Sequence, residues 1–237
     1  MLFRSEILLC ARGSKDFKRL GHLESQPLLG GDMATRYPLR IAAGILDKKV
    51  NVDQWVLQNS HYLPHGEIEA KLILDQLRKA KVIPESTSLG RILDAAAAIT
   101  GACFERTYEG EAAMKLESAA VNGKSVLELA PIISRDILHT TEMLVSLFEN
   151  REKIGNANLA FFVHEYLARG LATLAVEKAG ECGVRTVGFT GGSAVNALLS
   201  KLMRRFIEGE GLHFLTHFSV PSGDGGISLG QAVVGGF

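Results

Sequence analysis

The sequence has no excess charge of either sign. Its 26 lysines and arginines balance 26 aspartates and glutamates over 237 residues, and that balance argues against broad electrostatic capture of nucleic acid or of an anionic membrane. No apolar run reaches the roughly 18 residues that a membrane span needs, and Arg4 and Glu6 come too early for a signal peptide. These absences predict a cytoplasmic protein that binds neither nucleic acid nor a membrane.

Cysteine is scarce as well. The three cysteines, Cys10, Cys103 and Cys182, are far apart and form no CxxC pair, which excludes a disulfide framework or a four-cysteine zinc site within the chain and fits a reducing compartment. No P-loop, HExxH or GxGxxG motif is present. The common signatures of nucleotide and zinc enzymes are therefore missing, although 46% apolar and 22% charged residues are ordinary for a globular protein.

The first four fifths of the chain have a mainly helical pattern. Two short strands are predicted over residues 3–10 and 17–23, and apolar residues at helical spacing predict helices from about 32 to 180. One such stripe comprises Ile68, Leu72, Ile73 and Leu77. Two further helices are predicted at about 132–148 and 156–180.

The C-terminal part changes character after residue 183. Strands are predicted at 184–189 and 212–217, and each is followed by a glycine-rich turn and then a helix, at 194–207 and 227–234. Because strand–turn–helix units assemble into α/β layers with parallel strands, the fold class expected is α/β with a large helical insertion.

Glycine is abundant, with 25 residues, and its positions point to a binding cleft. A pair of glycines between a strand and a helix lets backbone approach a ligand closely, next to N–H groups that attract anions. Gly191 and Gly192, with Asn196 nearby, form one such turn, and Gly225 and Gly226 form another behind Asp224. The alternatives are that each glycine pair only permits tight packing and that Asp224 only caps a helix.

Two more positions belong to helix starts in the helical part. Asp94 lies on an alanine-rich helix, where it could be a plain solvated residue, and the alanines indicate that another backbone packs close. Gly110 forms a turn before the helix that begins near residue 112, which could be an ordinary helix start with carboxylates favouring the dipole.

Taken in order along the chain, these motifs resemble the HypF family of carbamoyltransferases, which mature nickel–iron hydrogenases. The motifs are PLLGGD at 27–32, SLGRILDA at 88–95, TYEGEAAM at 107–114, Gly191 and Gly192 with Asn196, and GDGGISLGQA at 223–232. The resemblance covers nearly the whole chain and implies the second half of an actin-like ATPase fold (ASKHA, RNase H-like). It implies a hairpin and loop left from a preceding lobe at 1–31, a mainly helical subdomain at 32–180 and an α/β subdomain with two glycine turns at 181–237.

The same resemblance implies roles for individual residues. Asp94 and Gly110 would hold the nucleoside end of an adenylate, and Gly191, Gly192 and Asn196 would line the same cleft. Asp224 would be a metal ligand, but the family's histidine motif and an Asp-Gly phosphate turn do not occur in this sequence. The expectation is an incomplete divalent-metal site and a chain that is inactive alone. The role of the loop at Gly30, Gly31 and Asp32 stays open.

The family's chemistry uses ATP and carbamoyl phosphate to make carbamoyl adenylate. The carbamoyl group then passes to the C-terminal cysteine of a partner, HypE, in the synthesis of the cyanide ligand. Two alternatives are a module of a small-molecule O-carbamoyltransferase and a non-catalytic nucleotide-binding subunit that needs a second chain.

Overall fold

A computed structural model describes residues 4–11, 13–79 and 82–236. The predicted strand at 3–10 therefore begins at Phe3, outside the described residues. The strands are β1 (Glu6–Cys10), β2 (Phe17–Leu23), β3 (Gln26–Pro27), β4 (Glu85–Ser86), β5 (Ile132–Ser134), β6 (Ile137–His139), β7 (Thr186–Phe189) and β8 (His213–Thr216). The helices are α1 (Asp32–Arg36), α2 (Pro38–Leu46), α3 (Asp53–Gln58), α4 (Gly66–Lys79), α5 (Leu89–Ile99), α6 (Glu111–Ala120), α7 (Thr141–Asn150), α8 (Asn156–Cys182), α9 (Ala197–Gly209) and α10 (Ile227–Gly235), with single 3-10 turns at Ser60–Tyr62, Gly192–Val195 and Asp224–Gly226.

The strands form one mixed sheet and two smaller ones. The larger sheet has the order β1-β2-β6-β5, in which β2 and β6 run parallel and the other pairs are antiparallel. Strands β7 and β8 make a separate parallel pair in register from Thr186 opposite His213 to Phe189 opposite Thr216. The predicted α/β class and its parallel component are confirmed.

The helical core is built around α5, which packs on α2 and α6. The four alanines from Ala95 to Ala98 are fully buried, and their small side chains let neighbouring helices approach. A Cβ on Gly44 of α2 would lie 3.1 Å from Pro27 and 3.2 Å from Leu29. The prediction that another backbone packs close to the alanine-rich helix is confirmed, because α2 packs closely on α5.

Helix α8 is the longest element in the structure. It ends at Gly183, whose φ of +66° is the left-handed conformation that glycine adopts without strain. Among the helices of the described ranges, α8 alone is long and apolar enough to cross a membrane, and 72% of the apolar window is buried against other elements. Such burial is what the core helix of a globular protein shows.

Two details of the helical part differ from the sequence prediction. The segment predicted as a helix over 132–148 is a β5–β6 hairpin followed by α7, which begins only at Thr141. The β-branched residues Ile132, Ile133 and Ile137 favour strands, and the hairpin turn places Arg135 and Asp136 at φ of 52° and 62°. On α4 the predicted stripe is also partly wrong, because Ile68 and Leu72 are exposed.

Candidate functional site

A cleft of about 1140 Å³ lies between β1 and β7. Its floor is one face of α8, and its end wall combines the starts of α5 and α6 with the turn that follows β7. Gly110, Gly191, Gly192, Asn196 and Asp224 all line it. Five of the six site residues predicted from the sequence therefore lie around one cavity, although they come from distant parts of the chain.

The glycine turns leave the wall of the cleft open. Gly110 and Gly191 have φ of +80° and +94°, and a Cβ placed on either residue or on Gly192 would meet no atom within 4 Å. The two turns of the C-terminal part are bonded together, since Gly191 donates its N–H to the carbonyl of Ser222 at 2.8 Å. Because no side chain projects from these glycines, a ligand can approach the backbone of the turns closely.

Asn196 lines the cleft, but protein partners occupy its side chain. Its Oδ1 accepts a hydrogen bond from the Leu199 N–H at 2.8 Å, which makes it the N-cap of α9. Its Nδ2 lies 3.1 Å from Nε2 of the buried His164, whose Nδ1 lies 2.7 Å from the Ala160 carbonyl. These contacts place the proton of His164 on Nδ1 and make Asn196 a bridge between α8 and α9. His164 is fully buried, and both of its ring nitrogens have partners.

Asp94 is the predicted site residue that does not line the cleft. It is 1% exposed, and its Oδ2 lies 3.0 Å from Arg91 Nη1 and 3.3 Å from Arg106 Nη1. Burial raises the pKa of the Asp94 carboxyl, and the two guanidinium groups partly offset that rise. Asp94 thus forms a buried ion cluster behind the cleft wall and is not a solvated helix residue.

Arg91 is the side chain through which that cluster reaches the cleft. It lies in the first turn of α5, lines the cleft and is 11% exposed. Its Nε makes no hydrogen bond within the described part of the chain. Burial lowers the pKa of Arg91, but a guanidinium stays charged because its ordinary pKa is so high. The sequence reasoning missed Arg91; an arginine next to Gly90 at a helix start was the available signal.

The loop before α6 is held by a second cluster that sequence reasoning missed. Glu111 pairs with Lys115 at 2.8 Å and accepts hydrogen bonds from the N–H and Oγ1 of Thr107 at 2.5 and 2.9 Å. The hydrogen bonds from Lys115 and Thr107 lower the pKa of Glu111 to about 2. This anchored carboxylate fixes the turn at Gly110, and the available signal was the spacing of Thr107, Glu111 and Lys115 at four-residue intervals.

Asp224 is exposed at the mouth of the cleft, in the turn Asp224–Gly226. The nearby His217 lies with Nε2 at 2.7 Å from Thr190 Oγ1. No group of three His, Cys, Asp or Glu side chains within the described ranges could hold a metal ion. A divalent ion held by side chains usually has three or four protein ligands, so the described residues by themselves do not fit one.

The end wall of the cleft is suited to an anion. The first turns of α5 and α6 direct N–H groups and positive dipole ends toward it, and Arg91 adds a positive charge there that Glu109 of the same lining partly offsets. The start of α9 is already partly satisfied, because Glu117 Oε1 accepts a hydrogen bond from the Leu198 N–H at 3.0 Å. The anionic part of a ligand is therefore expected nearer α5 and α6 than α9.

Comparison with known proteins places the chain in a family. Residues 5–231 match the family model described as "Carbamoyltransferase, Kae1-like Domain, second subdomain". The chain is 39% identical to "Probable carbamoyltransferase HypF" of Methanocaldococcus jannaschii over 98% of its own length and 30% of that protein. It is 32% identical to a HypF homolog of Cupriavidus necator, covering 91% of this chain and 57% of the relative.

Two solved structures share the fold. The crystal structure of T. kodakarensis HypF superposes with a TM-score of 0.84 at 39% identity, over 93% of this chain and 30% of that one. A full-length HypF in a phosphate- and nucleotide-bound form gives a TM-score of 0.85 at 28% identity, over 98% of this chain and 36% of that one. The chain spans about a third of the length of these two structures. It belongs to the HypF carbamoyltransferase family and corresponds to the C-terminal module, the second subdomain of the Kae1-like domain.

Proposed function

We propose that the chain forms the nucleotide-holding wall of a HypF-type carbamoyltransferase. Its ligand is carbamoyl adenylate, whose carbamoyl group passes to the C-terminal cysteine of a HypE-like partner in hydrogenase maturation. One observation carries the proposal: the turn at Gly110 and the turn at Gly191 and Gly192, far apart in the sequence, line one cleft together with two helix starts. A relative solved in a phosphate- and nucleotide-bound form supports it.

The residues predicted for the nucleotide site each have a place in this proposal. The phosphate of the adenylate lies against the starts of α5 and α6, where N–H dipoles and Arg91 favour negative charge. Gly110, Gly191 and Gly192 give the nucleoside room close to the backbone. Asp94 acts from behind by orienting Arg91, and Asn196 acts by fixing the α9 start.

The transfer step conserves atoms and charge. The thiolate of the partner attacks the carbamoyl carbon, an S–C bond forms, and the C–O bond to the adenylate phosphate breaks. AMP leaves with the bonding electrons, and the thiol proton goes to solvent. The charge that accumulates on the leaving phosphate is what the α5 and α6 starts are placed to stabilise. The chain supplies no nucleophile in this scheme, and no side chain is assigned a catalytic role.

The scheme assigns no role to a metal, because no group of three His, Cys, Asp or Glu side chains within the described ranges, Asp224 included, could hold one. We further propose that ATP and carbamoyl phosphate are the cosubstrates of the whole enzyme, that the fold is the second half of an actin-like ATPase and that the protein is cytoplasmic. These proposals extend the family's properties to a chain about a third as long as its solved relatives.

Calorimetric titration with ATP and AMP tests nucleotide binding directly. The unmodified chain should bind weakly, and Gly192→Leu should lower the affinity at least tenfold because the new side chain would project into the cleft. Gly209→Leu is the matched control: a Cβ at Gly209 also meets no atom within 4 Å, and the residue does not line the cleft. Equal affinity of both variants, or no binding by the unmodified chain, would overturn the proposal.

A further inference from the structure

A second, smaller pocket lies at the opposite end of α5 from the cleft. The first turn of α5 lines the cleft, whereas the last residue of the helix, Ile99, lines the smaller pocket together with Thr100 and Gly101. Its volume is about 400 Å³, which is in the range of sites for small ligands. The two cavities share no lining residue, and the proposed function makes no use of the smaller one, which we call the α5 pocket.

Three helices end at the α5 pocket. Helix α3 ends there at Gln58, α5 ends at Ile99, and α7 is followed there by Arg151. The C-terminal end of a helix carries a partial negative charge. Helix α3 contributes little because it has only six residues, but α5 and α7 have eleven and ten. The helix ends therefore favour a cation in this pocket.

Several oxygen acceptors of the pocket lack a hydrogen bond. The carbonyls of Ile99 and Thr100 accept none in the part of the chain that the structure describes, although these residues are only 4% and 6% exposed. Asn59 donates its Nδ2 to the Trp55 carbonyl at 2.8 Å, which leaves its Oδ1 available. Because buried carbonyls normally have partners, these oxygens favour a ligand with several N–H donors.

Aromatic rings complete the wall of the pocket. Trp55, Tyr62 and Phe104 all line it. Tyr62 stacks on Phe104, with ring centroids 4.1 Å apart, and Trp55 packs edge-on against Phe148. Rings that are held by one another in this way give a rigid surface, and a flat cation is attracted to the face of an aromatic ring.

Arg151 at the rim of the pocket shows how a guanidinium group binds to such a surface. Its central carbon lies 3.8 Å from the centre of the Phe148 ring. Its Nη1 donates to the Phe148 carbonyl at 2.6 Å, and its Nη2 donates to Glu152 Oε1 at 3.1 Å. The charge of Arg151 is therefore balanced by Glu152 and by the end of α7, and it does not satisfy the end of α5.

We propose that the α5 pocket binds a guanidinium group. A guanidinium is flat, stays charged and presents five N–H donors in one plane, which suits the aromatic wall, the helix ends and the unpaired oxygens together. An ammonium group suits them less, because its compact head does not stack on a ring. Two sources present this chemistry, a free small guanidinium compound and an arginine side chain of another protein, and the experiment separates them.

The fluorescence of Trp55 measures binding directly, because it is the single tryptophan of the chain and lines the pocket. Titration of the full chain with N-acetyl-arginine amide at physiological salt should give a saturable change in emission at millimolar concentration. The matched control is N-acetyl-citrulline amide, in which a neutral urea of nearly the same shape replaces the cation. It should bind at least tenfold more weakly, because it lacks the charge that the helix ends and rings attract.

A capped pentapeptide with a central arginine between glycines identifies the source of the group. If the peptide binds at least tenfold more tightly than the arginine amide, the pocket also contacts the backbone and the source is a protein. If the two affinities are equal, the pocket recognises the guanidinium alone and the source is a small molecule.

Two pairs of variants locate the site. Glu152→Lys should weaken binding of the arginine amide at least fivefold, because the new charge repels the ligand. Glu149→Lys is its control, since Glu149 is exposed on α7 and does not line the pocket. Tyr62→Leu should weaken binding about threefold by removing one ring of the stack. Tyr108→Leu is the second control, because Tyr108 is similarly exposed, at 53% against 43% for Tyr62, and lies outside the pocket.

Four results would overturn the inference. They are the absence of a saturable change with both arginine compounds, equal affinity for the arginine and citrulline amides, equal effects within either pair of variants, and a saturable change with sodium acetate but none with the arginine amide. The last result would show that Arg151 makes the pocket an anion site. Nucleotide binding in the cleft is measured separately, so this inference and the proposed function can fail independently.

Discussion

Replacing Asp94 by asparagine should destabilise the protein far more than a single neutral substitution normally does. Asparagine has nearly the shape of aspartate, so the change removes a charge without opening a cavity. What remains is two guanidinium groups facing an uncharged amide, in a site where the side chains of Arg91 and Arg106 are 11% and 9% exposed. The loss of stability arises because the two buried arginines are left without an anionic partner. It does not measure the net contribution of the carboxylate to stability.

The expected loss is about 3–5 kcal/mol in the free energy of unfolding, the range for breaking a buried ion pair by removing one partner. The lower end is expected, because the asparagine carbonyl can still accept one hydrogen bond from a guanidinium. Since a typical domain is stable by roughly 5–15 kcal/mol, the variant should remain folded but unfold at clearly lower urea concentration.

The consequence should extend to the ligand site. Arg106 donates to the Thr35 carbonyl at 3.0 Å through the same Nη1 that faces Asp94, and its N–H donates to the Arg36 carbonyl. Asp94 thus helps to hold the loop that leads to Gly110. Asp94→Asn should lower AMP affinity at temperatures where the variant is still fully folded.

Urea denaturation followed by circular dichroism measures the first effect, and Glu105→Gln is the control. Glu105 is next to Arg106 and pairs with Arg36, but both side chains of that pair are well exposed, at 44% and 61%, so the loss should be at most about 1 kcal/mol. A loss below 1 kcal/mol for Asp94→Asn, or one equal to that of Glu105→Gln, would refute the buried-cluster argument.

Three further predictions concern the cap, an acid group and the metal. Asn196→Ala should lower the free energy of unfolding by about 1–3 kcal/mol in urea titrations, because it removes the α9 cap and leaves His164 Nε2 without a donor. Asn196→Asp should recover part of this loss, since aspartate can still cap the helix. If it recovers nothing, the capping role is contradicted. The pKa of Glu111 is lowered to about 2 from 4.5, so the stability that this carboxylate contributes is present above pH 4.5 and is lost as the pH falls toward 2. In Glu111→Gln the free energy of unfolding should therefore fall less steeply between pH 4.5 and pH 2. An unchanged pH dependence in this range would contradict the prediction. Elemental analysis after dialysis should find no stoichiometric metal in this chain, and a metal that persists and disappears in Asp224→Ala would show that other residues complete the site.

Local backbone chemistry explains what the sequence could predict. Glycine turns between strands and helices are short-range features, so the turns at Gly110, Gly191 and Gly225 could be located without tertiary information. The two strand–turn–helix units of the C-terminal part were predictable for the same reason. Helix α8 was predictable because Leu159, Phe162, Val163, Tyr166 and Leu167 recur at helical spacing in its first half.

The remaining features depend on long-range contacts that periodicity does not encode. The hairpin of β5 and β6 exists because β6 pairs with β2, more than a hundred positions earlier in the chain, which overrides a local helical pattern. Ile68 and Leu72 lie on the solvent side of α4, and its buried face instead includes Glu69, which forms a buried ion pair with Arg40. The position of Asp94 behind Arg91 could not be predicted, since spacing does not reveal which of two charged neighbours faces a cavity.

The cleft is best understood as a product of the helical part and the C-terminal part together. The helical part contributes the starts of α5 and α6, which the alanine packing of α5 and the Asp94 cluster hold in place. The C-terminal part contributes β7, the turn that follows it and the start of α9, whereas α10 buries no residue. Helix α8 connects the two through the His164–Asn196 contact and through its face beneath both sheets. Ligand affinity should therefore be most sensitive to changes that shift α8 relative to α5, even where those changes touch no residue of the cleft.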